Sequence, residues 1–359
     1  MIKKYITLGE VCEKGSSTIM QKDLSLGNGP YQIYGASGLL GTVDFYKQEK
    51  EYIGIVKDGA GVGRAMLLPE KSSCIGTMQY LIPRENINVR FLFYAIESMN
   101  LAKYNTGATI PHIYFKDYKK EVLPLFDIQE QQEIAHQFDK IKSLISYRQS
   151  QLKYFDDLVK SQFIETFLNR GFQRVALEKV SHGKGEYGAA SASVEYIPSR
   201  PRYVRITDIN DDGTLNDDRV CSVNLSDDSD YKLEYGDFLF ARMGATVGKT
   251  YVYKTGNQIF AGYLIRYKLN TDKINPYYLY SYTKTPEYES WVQLNQSGAA
   301  QPGINAKKYG SLQIPLPPMA LQNQFAAFVE QTDKSKFRIK QSLENLEKCY
   351  KALLQKYFG

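Results

Sequence analysis

The chain has no long hydrophobic run, few cysteines and very few histidines. No stretch approaches the ~18–20 consecutive apolar residues of a membrane-spanning helix, and residues 1–5 lack the apolar core of a signal peptide. The four cysteines form no CxxC pair, and the three histidines do not cluster near them. These absences argue against a disulfide framework and against a zinc or other metal site. They also predict a cytoplasmic protein.

Size and composition predict two ordinary globular domains. The chain has 359 residues, more than one hydrophobic core usually organises. Hydrophobic residues make up 43% and charged residues 23%, and 29 Tyr with 17 Phe supply enough aromatic bulk for real cores. The net charge of +6 is a mild excess that many proteins without nucleic-acid partners share, so charge alone does not indicate DNA binding.

Two glycine-rich stretches resemble nucleotide-binding loops but lack their spacing or context. The segment from Gly244 to Thr250 has three residues before its Gly-Lys, where a phosphate-binding loop needs four. Residues 251–253 after it are predicted as a strand, whereas that loop must open a helix. The alternating glycines from Gly59 to Gly63 suggest a methyl-donor loop, but we interpret them as a turn shared by both halves of the chain.

Motifs for base methylation and DNA cleavage are also incomplete. The segment from Asn275 to Tyr278 resembles the Asn-Pro-Pro-Tyr of adenine methyltransferases, but its third residue is Tyr. A carboxylate-metal nuclease would need a Pro-Asp dipeptide, and the sequence contains none. The acidic pairs at 211–212 and 227–228 lie in Asn/Asp/Ser-rich segments typical of solvated turns. We therefore predict no catalytic residue, no metal ligand and no cofactor in this chain.

The second half of the chain repeats the first at an offset of roughly 185–191 residues. The repeat is carried by an apolar strand that runs into a glycine turn, at 53–63 and again at 238–248. The other matching pairs of segments, in chain order, are 5–8 with 174–177, 88–93 with 275–280, 107–113 with 298–304, and 123–125 with 314–316. Because order and spacing both hold, the sequence predicts two copies of one mixed α/β (α+β) unit.

Each half ends in a predicted helix of about 40 residues, roughly 60 Å long. Apolar residues step by three and four along both helices, which is the pattern of a coiled-coil seam. The predicted seam residues are Phe138, Ile141, Ile145, Leu152 and Phe155 in the first helix and Val329, Ile339, Leu343, Leu346 and Tyr350 in the second. Thr332 and Lys336 interrupt it. Two such seams should pair, although a packed bundle of amphipathic helices stays an alternative.

The glycine turns carry basic residues that suit a polyanion. Lys57 and Arg64 flank the turn in the first half, and Arg242 and Lys249 flank it in the second. Glycines let a backbone approach phosphates closely, and basic side chains beside them could contact phosphates or base edges. A plain hairpin turn with solvated basic residues is the alternative.

Further candidates for DNA binding lie where the two halves diverge most, as expected for readers of two different sequences. They are Lys14, Tyr31, Tyr34 and Lys47 in the first half and His182, Lys184, Tyr187, Arg202 and Arg205 in the second. Surface loops also diverge without any functional reason, so divergence alone does not identify a contact.

The arrangement of these segments resembles the specificity subunit of type I restriction-modification enzymes. The phrases that carry the resemblance are residues 31–38, 236–244, 298–304 and 314–318. No single phrase is diagnostic. The ordered set occurs twice and spans essentially the whole chain.

The resemblance implies two target recognition domains, at 1–126 and 171–318, and two conserved spacer helices, at 127–170 and 319–359. The helices would pair as an antiparallel coiled coil whose length separates the two halves of a split double-stranded DNA site, as dimer spacing does in helix-turn-helix proteins. Two methylation subunits would dock on the helices and carry the methyl donor, and a restriction subunit would carry ATP hydrolysis and cleavage. The chain itself would be non-catalytic.

The sequence departs from the family pattern in places. The first half has Gly-Ala-Thr-Ile-Pro-His at 107–112, where a fuller Gln-Pro or Ile-Pro phrase is usual. Pro317 and Pro318 have no counterpart after Leu125, and the usual Glu-Gln survives at 130–131 but becomes Leu-Gln at 321–322. We therefore expect uneven partner docking between the halves. A two-domain coiled-coil interaction scaffold without DNA binding stays the alternative function.

Overall fold

A computed structural model describes residues 4–107, 109–225, 229–298 and 302–359. Two of the repeated phrases have residues outside the described ranges, namely residue 108 and residues 299–301. The acidic pair at 227–228 also lies outside them. The described chain divides into two compact units. Unit 1 comprises Met1–Ser150 and Lys340–Gly359, and unit 2 comprises Gln151–Ile339. Each unit therefore holds part of both long helices, while the division into recognition domains and spacers stays a prediction.

Unit 1 is built on a four-stranded antiparallel sheet and a smaller three-stranded sheet. Its strands are β1 Lys4–Thr7, β2 Cys12–Ser16, β3 Tyr31–Gly35, β4 Gly38–Val43, β5 Tyr52–Val56, β6 Ala65–Leu68, β7 Ser73–Cys74, β8 Met78–Pro83 and β9 Val122–Leu125. Its helices are α1 Leu8–Val11, α2 Val89–Ser98, α3 Phe115–Tyr118 and the first part of α4 Ile128–Phe163. The sheets have the strand orders β2-β8-β5-β6 and β4-β3-β7, and β1 pairs with β9.

Unit 2 repeats this plan. After a π-helical turn at Ile164–Leu168, its strands are β10 Arg174–Ala176, β11 Glu186–Tyr187, β12 Ser193–Glu195, β13 Arg202–Val204, β14 Cys221–Val223, β15 Asp237–Ala241, β16 Thr250–Val252, β17 Gln258–Phe260, β18 Leu264–Lys268 and β19 Gln313–Pro315. Its helices are α5 Pro276–Tyr282, α6 Pro286–Asn295, α7 Ala306–Gly310 and the first part of α8 Met319–Phe358. The sheets have the orders β11-β18-β15-β16 and β12-β14-β13-β17, and β10 pairs with β19.

The two units share one plan, which confirms the predicted duplication, although the second sheet has three strands in unit 1 and four in unit 2. The sheet β2-β8-β5-β6 of unit 1 has the same order as β11-β18-β15-β16 of unit 2. The other sheet of each unit contains one parallel pair, β3 with β7 and β13 with β17. In both, an asparagine side chain caps the helix that follows the sheet, Asn88 before α2 and Asn275 before α5. The opening strand also pairs antiparallel with the strand before the long helix in each unit.

The ends of the long helices complete the aromatic cores. In unit 1 the Phe358 ring lies 5.3 Å from Phe91 and 5.9 Å from Phe138. In unit 2 the Phe167 ring lies 4.9 Å from Tyr278 and 5.3 Å from Phe325. Phe167 therefore has the place in unit 2 that Phe358 has in unit 1, as the repeat predicts.

The helices run antiparallel within unit 2. Late residues of α4 contact early residues of α8: Phe163 lies 5.3 Å from Phe325, and Lys336 reaches Asp156 at 2.7 Å. Of the predicted seam residues, Phe138 and Val329 are buried, and the others are partly buried. Of the two interrupting residues, Lys336 is held by carboxylates, and the buried Thr332 donates its hydroxyl to the Phe328 carbonyl at 2.9 Å.

Candidate nucleic-acid interface

The glycine turn of unit 1 connects β5 to β6, and we call residues 57–64 glycine loop 1. The amide of Gly63 donates to the Val56 carbonyl at 2.8 Å, which closes the hairpin. Gly59, Gly61 and Gly63 have φ of 83°, 83° and 85°, a region that favours glycine. A Cβ on Gly63 would lie 2.4 Å from the backbone nitrogen of Ala102. These glycines are therefore required by the tight path of the loop.

The matching turn of unit 2 connects β15 to β16, and we call residues 242–249 glycine loop 2. The amide of Gly248 donates to the Ala241 carbonyl at 3.0 Å. The segment after this loop is strand β16, which confirms the expectation that it does not open a helix. It therefore lacks the row of helix N-terminal amides that cradles phosphate in a nucleotide-binding loop.

Each glycine loop is joined to a second loop that contains a proline. In unit 1 the amide of Gly59 donates to the Pro111 carbonyl at 2.9 Å, and the amide of Ile113 donates to the Lys57 carbonyl at 3.0 Å. We call this arrangement loop junction 1. Its backbone bonds fix the Cα position of Lys57, so that its side chain leaves from a defined point.

Unit 2 has the same arrangement, which we call loop junction 2. The amide of Gly244 donates to the Pro302 carbonyl at 2.9 Å, and the amide of Ile304 donates to the Arg242 carbonyl at 2.9 Å. Arg242 therefore occupies the position that Lys57 occupies in unit 1. The two junctions place a basic residue of different type at equivalent backbone positions.

The basic side chains of unit 1 are engaged within the protein. Lys57 lies 3.7 Å from the carboxylate of Asp58, which also pairs with the Nδ1 atom of His112. Arg64 donates a hydrogen bond to the carbonyl of Ala36, in the turn between β3 and β4. The segment does form the hairpin turn that the sequence left open as an alternative. Its basic side chains, however, are paired within the protein and are not simply solvated.

Lys249 of unit 2 is paired with a loop that the sequence did not connect with it. Its Nζ atom lies 2.7 Å from Oδ1 of Asp211, whose side chain is 93% exposed. The Nζ atom of Lys284 donates to the backbone carbonyl of the same aspartate at 2.7 Å. An exposed carboxylate therefore stands beside a candidate phosphate contact.

Burial lowers the pKa of Lys284 to about 8, although the carboxylates of Asp212 and Asp211 oppose this shift. The folded-state pKa lies below the ordinary value of 10.5, so the unfolded chain holds this proton more tightly between those pH values. The stabilising contribution of Lys284 is thus fully present above pH 10.5 and is lost as the pH falls through about 8.

We therefore expect Lys284→Met to flatten the rise in unfolding free energy between pH 8 and pH 10.5. Urea unfolding of the full chain at intervals across this range measures the effect. Lys273→Met is the matched control, because Lys273 is exposed. Equal slopes for the two variants would contradict the assignment.

The remaining candidates occupy separate places, and only one of them joins a loop junction. Tyr187 lies under the guanidinium of Arg242, with 4.7 Å from the ring centroid to Cζ. Arg205 bonds both carboxylate oxygens of the buried Asp208, which gives it a local structural partner. The other candidates are exposed or partly exposed: Lys14 on β2, Tyr31 and Tyr34 on β3, Lys47 after β4, His182 and Lys184 before β11, and Arg202 on β13.

Sequence reasoning missed Asp58, His112 and Asp211 as parts of this interface. Their partners lie far away in sequence, and only the folded loops bring them together. For His112 a signal was present, because it follows the proline of a repeated phrase in which the second half has Gly303.

Within the four described ranges, no group of three or more histidine, cysteine, aspartate or glutamate side chains is placed to hold a metal ion. In the same part of the chain, no helix is long and apolar enough to cross a membrane.

The family model of the type I restriction modification DNA specificity domain matches the chain twice, at residues 3–154 and 193–348. Together these matches cover most of the chain, so this protein belongs to that family. It contains two copies of the domain, in agreement with its two units.

Known proteins with similar sequence or structure carry related descriptions. A type I restriction enzyme specificity subunit of Methanocaldococcus jannaschii is 29% identical over 145 residues, which span 39% of this chain and 34% of that relative. The S subunit of a type I restriction-modification system from M. genitalium matches with a TM-score of 0.65 at 17% identity, over 99% of this chain and 96% of its own. A chain from a structure concerned with assembly and conformational transition of the type I R-M system matches with a TM-score of 0.57 at 18% identity, over 99% of this chain and 97% of its own.

Proposed function

We propose that this chain is the DNA-reading subunit of a type I restriction-modification complex and is itself non-catalytic. Each unit reads one half of a bipartite double-stranded site. The observation that carries the proposal is the duplicated loop junction, which presents Lys57 in unit 1 and Arg242 in unit 2 from equivalent backbone positions. A duplicated scaffold with a different basic residue at the same point suits two readers of different sequences.

The weak ion pair of Lys249 supports a role in DNA binding, in which Lys249 exchanges its internal partner for a DNA phosphate. The Lys249 to Asp211 contact involves an almost fully exposed carboxylate, and exposed ion pairs stabilise a protein by only about 0–1 kcal/mol. Lys249 can therefore leave Asp211 for a DNA phosphate at little cost. Phosphate contacts of this kind supply affinity, and base contacts supply specificity.

Family membership supports a proposal for the partners. We propose that two methylation subunits and a restriction subunit assemble on this chain, with the methyl donor and ATP bound by those partners and no cofactor in the chain itself. The long helices α4 and α8 are the proposed docking scaffold, and the cytoplasm is the proposed location. The structural relative described as an assembly of the type I R-M system is compatible with this role.

DNA binding by the chain assembled with methylation subunits tests the proposal. We expect affinity to fall steeply with salt, and Lys249→Gln to reduce the slope of log K against log salt by about 0.9, the loss of one phosphate contact. Lys273→Gln, which removes an exposed lysine elsewhere in unit 2, should leave the slope unchanged. Absent or salt-insensitive binding by the assembled complex would contradict the proposal and favour an interaction scaffold without DNA.

A further inference from the structure

The backbone of Arg242 is held by hydrogen bonds on both its amide and its carbonyl. It follows the last residue of β15, its amide donates to the Tyr263 carbonyl at 3.0 Å, and its own carbonyl accepts from Ile304 at 2.9 Å. Three segments of unit 2 therefore meet at this residue. Its side chain starts from a position that the backbone holds in place.

The guanidinium of Arg242 is also oriented. It lies over the Tyr187 ring, 4.7 Å from the centroid, an arrangement that attracts a cation to the face of an aromatic ring. Tyr187 is itself held, because its strand β11 pairs with β18 and its hydroxyl accepts a hydrogen bond from the Ala306 amide at 3.2 Å. The position of the guanidinium over the ring is thus favoured before any ligand arrives.

The donors of Arg242 are hardly used. Its only described side-chain hydrogen bond runs from Nη1 to the Gly262 carbonyl at 3.5 Å, and no carboxylate lies within ion-pair distance among the residues that the structure describes. Its Nε atom is buried without a hydrogen-bond partner there. The two terminal nitrogens are therefore the atoms left to serve a ligand.

Three other arginines of unit 2 that are shielded from solvent differ from Arg242, because each is paired with a carboxylate. Arg202 pairs with Asp217 at 2.6 Å, and Arg205 pairs with Asp208 at 2.8 Å. Arg266 pairs with Glu186 and Asp237. Those three have carboxylate partners, whereas Arg242 lies over the Tyr187 ring and has no carboxylate partner among the described residues.

We propose that Arg242 reads one guanine in the half-site of unit 2, through two parallel hydrogen bonds to O6 and N7 in the major groove. The inference rests on the proposed function and specifies its chemistry. The planar fork of an arginine suits two neighbouring acceptors, and in the major groove guanine presents such a pair in O6 and N7. Lys57, at the equivalent position of unit 1, lacks this fork, so the two units read this position differently.

Methylome sequencing of a host that expresses the complete system gives the bipartite site of the wild type, and the same measurement with Arg242→Ala and Arg242→Lys tests the proposal. We expect both variants to relax one guanine position in one half-site, with discrimination there falling roughly 10- to 100-fold. The lysine variant keeps the charge but not the fork, so it should not restore the preference. Unchanged reading of the other half-site shows that the variant chain is folded and assembled.

A chemical substitution in the DNA tests the same contact from the other side. Replacing that guanine with 7-deazaguanine removes the N7 acceptor and should weaken binding of the wild-type complex about 5- to 10-fold, with little further effect on Arg242→Ala. An unchanged site in both variants would overturn the inference, as would a uniform loss of affinity that Arg242→Lys restores, which indicates a phosphate contact. If the wild-type complex has no sequence preference, the proposed function itself fails.

Discussion

Replacing Arg266 with leucine should destabilise unit 2 by about 3–5 kcal/mol, the cost of breaking a buried ion pair from one side. The side chain of Arg266 is 3% exposed, and its Nη1 atom lies 3.4 Å from Oδ2 of Asp237. The guanidinium also donates to the carbonyls of Lys232 and Asp230, at 2.7 and 2.9 Å. Leucine would leave the buried carboxylate of Asp237 and two carbonyls without these donors.

The loss of unfolding free energy in Arg266→Leu should become smaller as the pH falls. Burial raises the pKa of Asp237, while the Glu234 amide and the charge of Arg266 hold it down. Without Arg266 that pKa rises further, and the protonated form of the carboxyl group no longer needs a counter-charge. A raised folded-state pKa contributes stability that is present below the unfolded pKa and is lost as the pH rises through the folded value. The variant should therefore be weakest, relative to wild type, at neutral pH.

Chemical denaturation of the full chain measures the effect. Asp237→Asn added to Arg266→Leu should recover part of the loss, because it removes the unpaired charge. Arg84→Leu is the matched control: Arg84 pairs with Glu13 on the surface, where both side chains are more than half exposed, so it should cost at most about 1 kcal/mol. Equal losses for Arg266→Leu and Arg84→Leu would show that the buried cluster has no special role.

The sequence predicts the elements of this fold better than their long-range partners. Repeated phrases identify the duplicated plan because each phrase marks a local structure: a strand entering a glycine turn, an asparagine cap before a helix, or a stepped apolar seam. Arg266 shows the limit. Its carboxylate partners are Glu186 on the neighbouring strand β11 and Asp237 on β15, and no periodicity in the sequence indicates which strands become neighbours.

In the candidate site, too, the local elements can be predicted from the sequence and the long-range contacts cannot. The glycine loops and their four basic residues can be read from the sequence because the repeat aligns them. The pairing of Lys249 with Asp211 cannot, because the turn around Asp211 belongs to a segment without a clear counterpart in the first half. The stacking of Arg242 on Tyr187 likewise depends on β11 pairing with β18, a tertiary contact.

One sequence-based interpretation concerns the phrase that opens each long helix. Glu-Gln at 130–131 becomes Leu-Gln at 321–322, and the changed first residue suggested uneven docking between the halves. That docking stays a prediction. The second residue of the phrase is a glutamine in both halves, and it is buried in both: Gln131 is 1% exposed and Gln322 is 0% exposed.

The two glutamines make equivalent hydrogen bonds. The Oε1 atom of Gln131 accepts from the Asn88 amide at 2.9 Å, and that of Gln322 accepts from the Asn275 amide at 2.9 Å. In each unit the Nε2 atom donates to two backbone carbonyls, one in the segment before the capped helix and one just before the long helix. Each glutamine therefore ties the first turn of its long helix to the helix that follows the sheet.

Gln131→Leu and Gln322→Leu should each cost about 2–4 kcal/mol, because a leucine of similar size leaves one buried amide and two carbonyls unpaired. Gln132→Leu and Gln324→Leu are matched controls on exposed positions of the same helices, where substitutions usually change stability by less than about 0.5 kcal/mol. Hydrogen exchange can assign the loss to one unit: the Asn88 amide should exchange faster in Gln131→Leu, and the Asn275 amide faster in Gln322→Leu. If the control variants speeded the exchange of these amides as much as the glutamine variants do, the proposed role of the buried glutamines would be contradicted. A selective effect would mean that the shared glutamine stabilises the fold, so that the residue before it, Glu130 or Leu321, is free to differ between the two proposed docking surfaces.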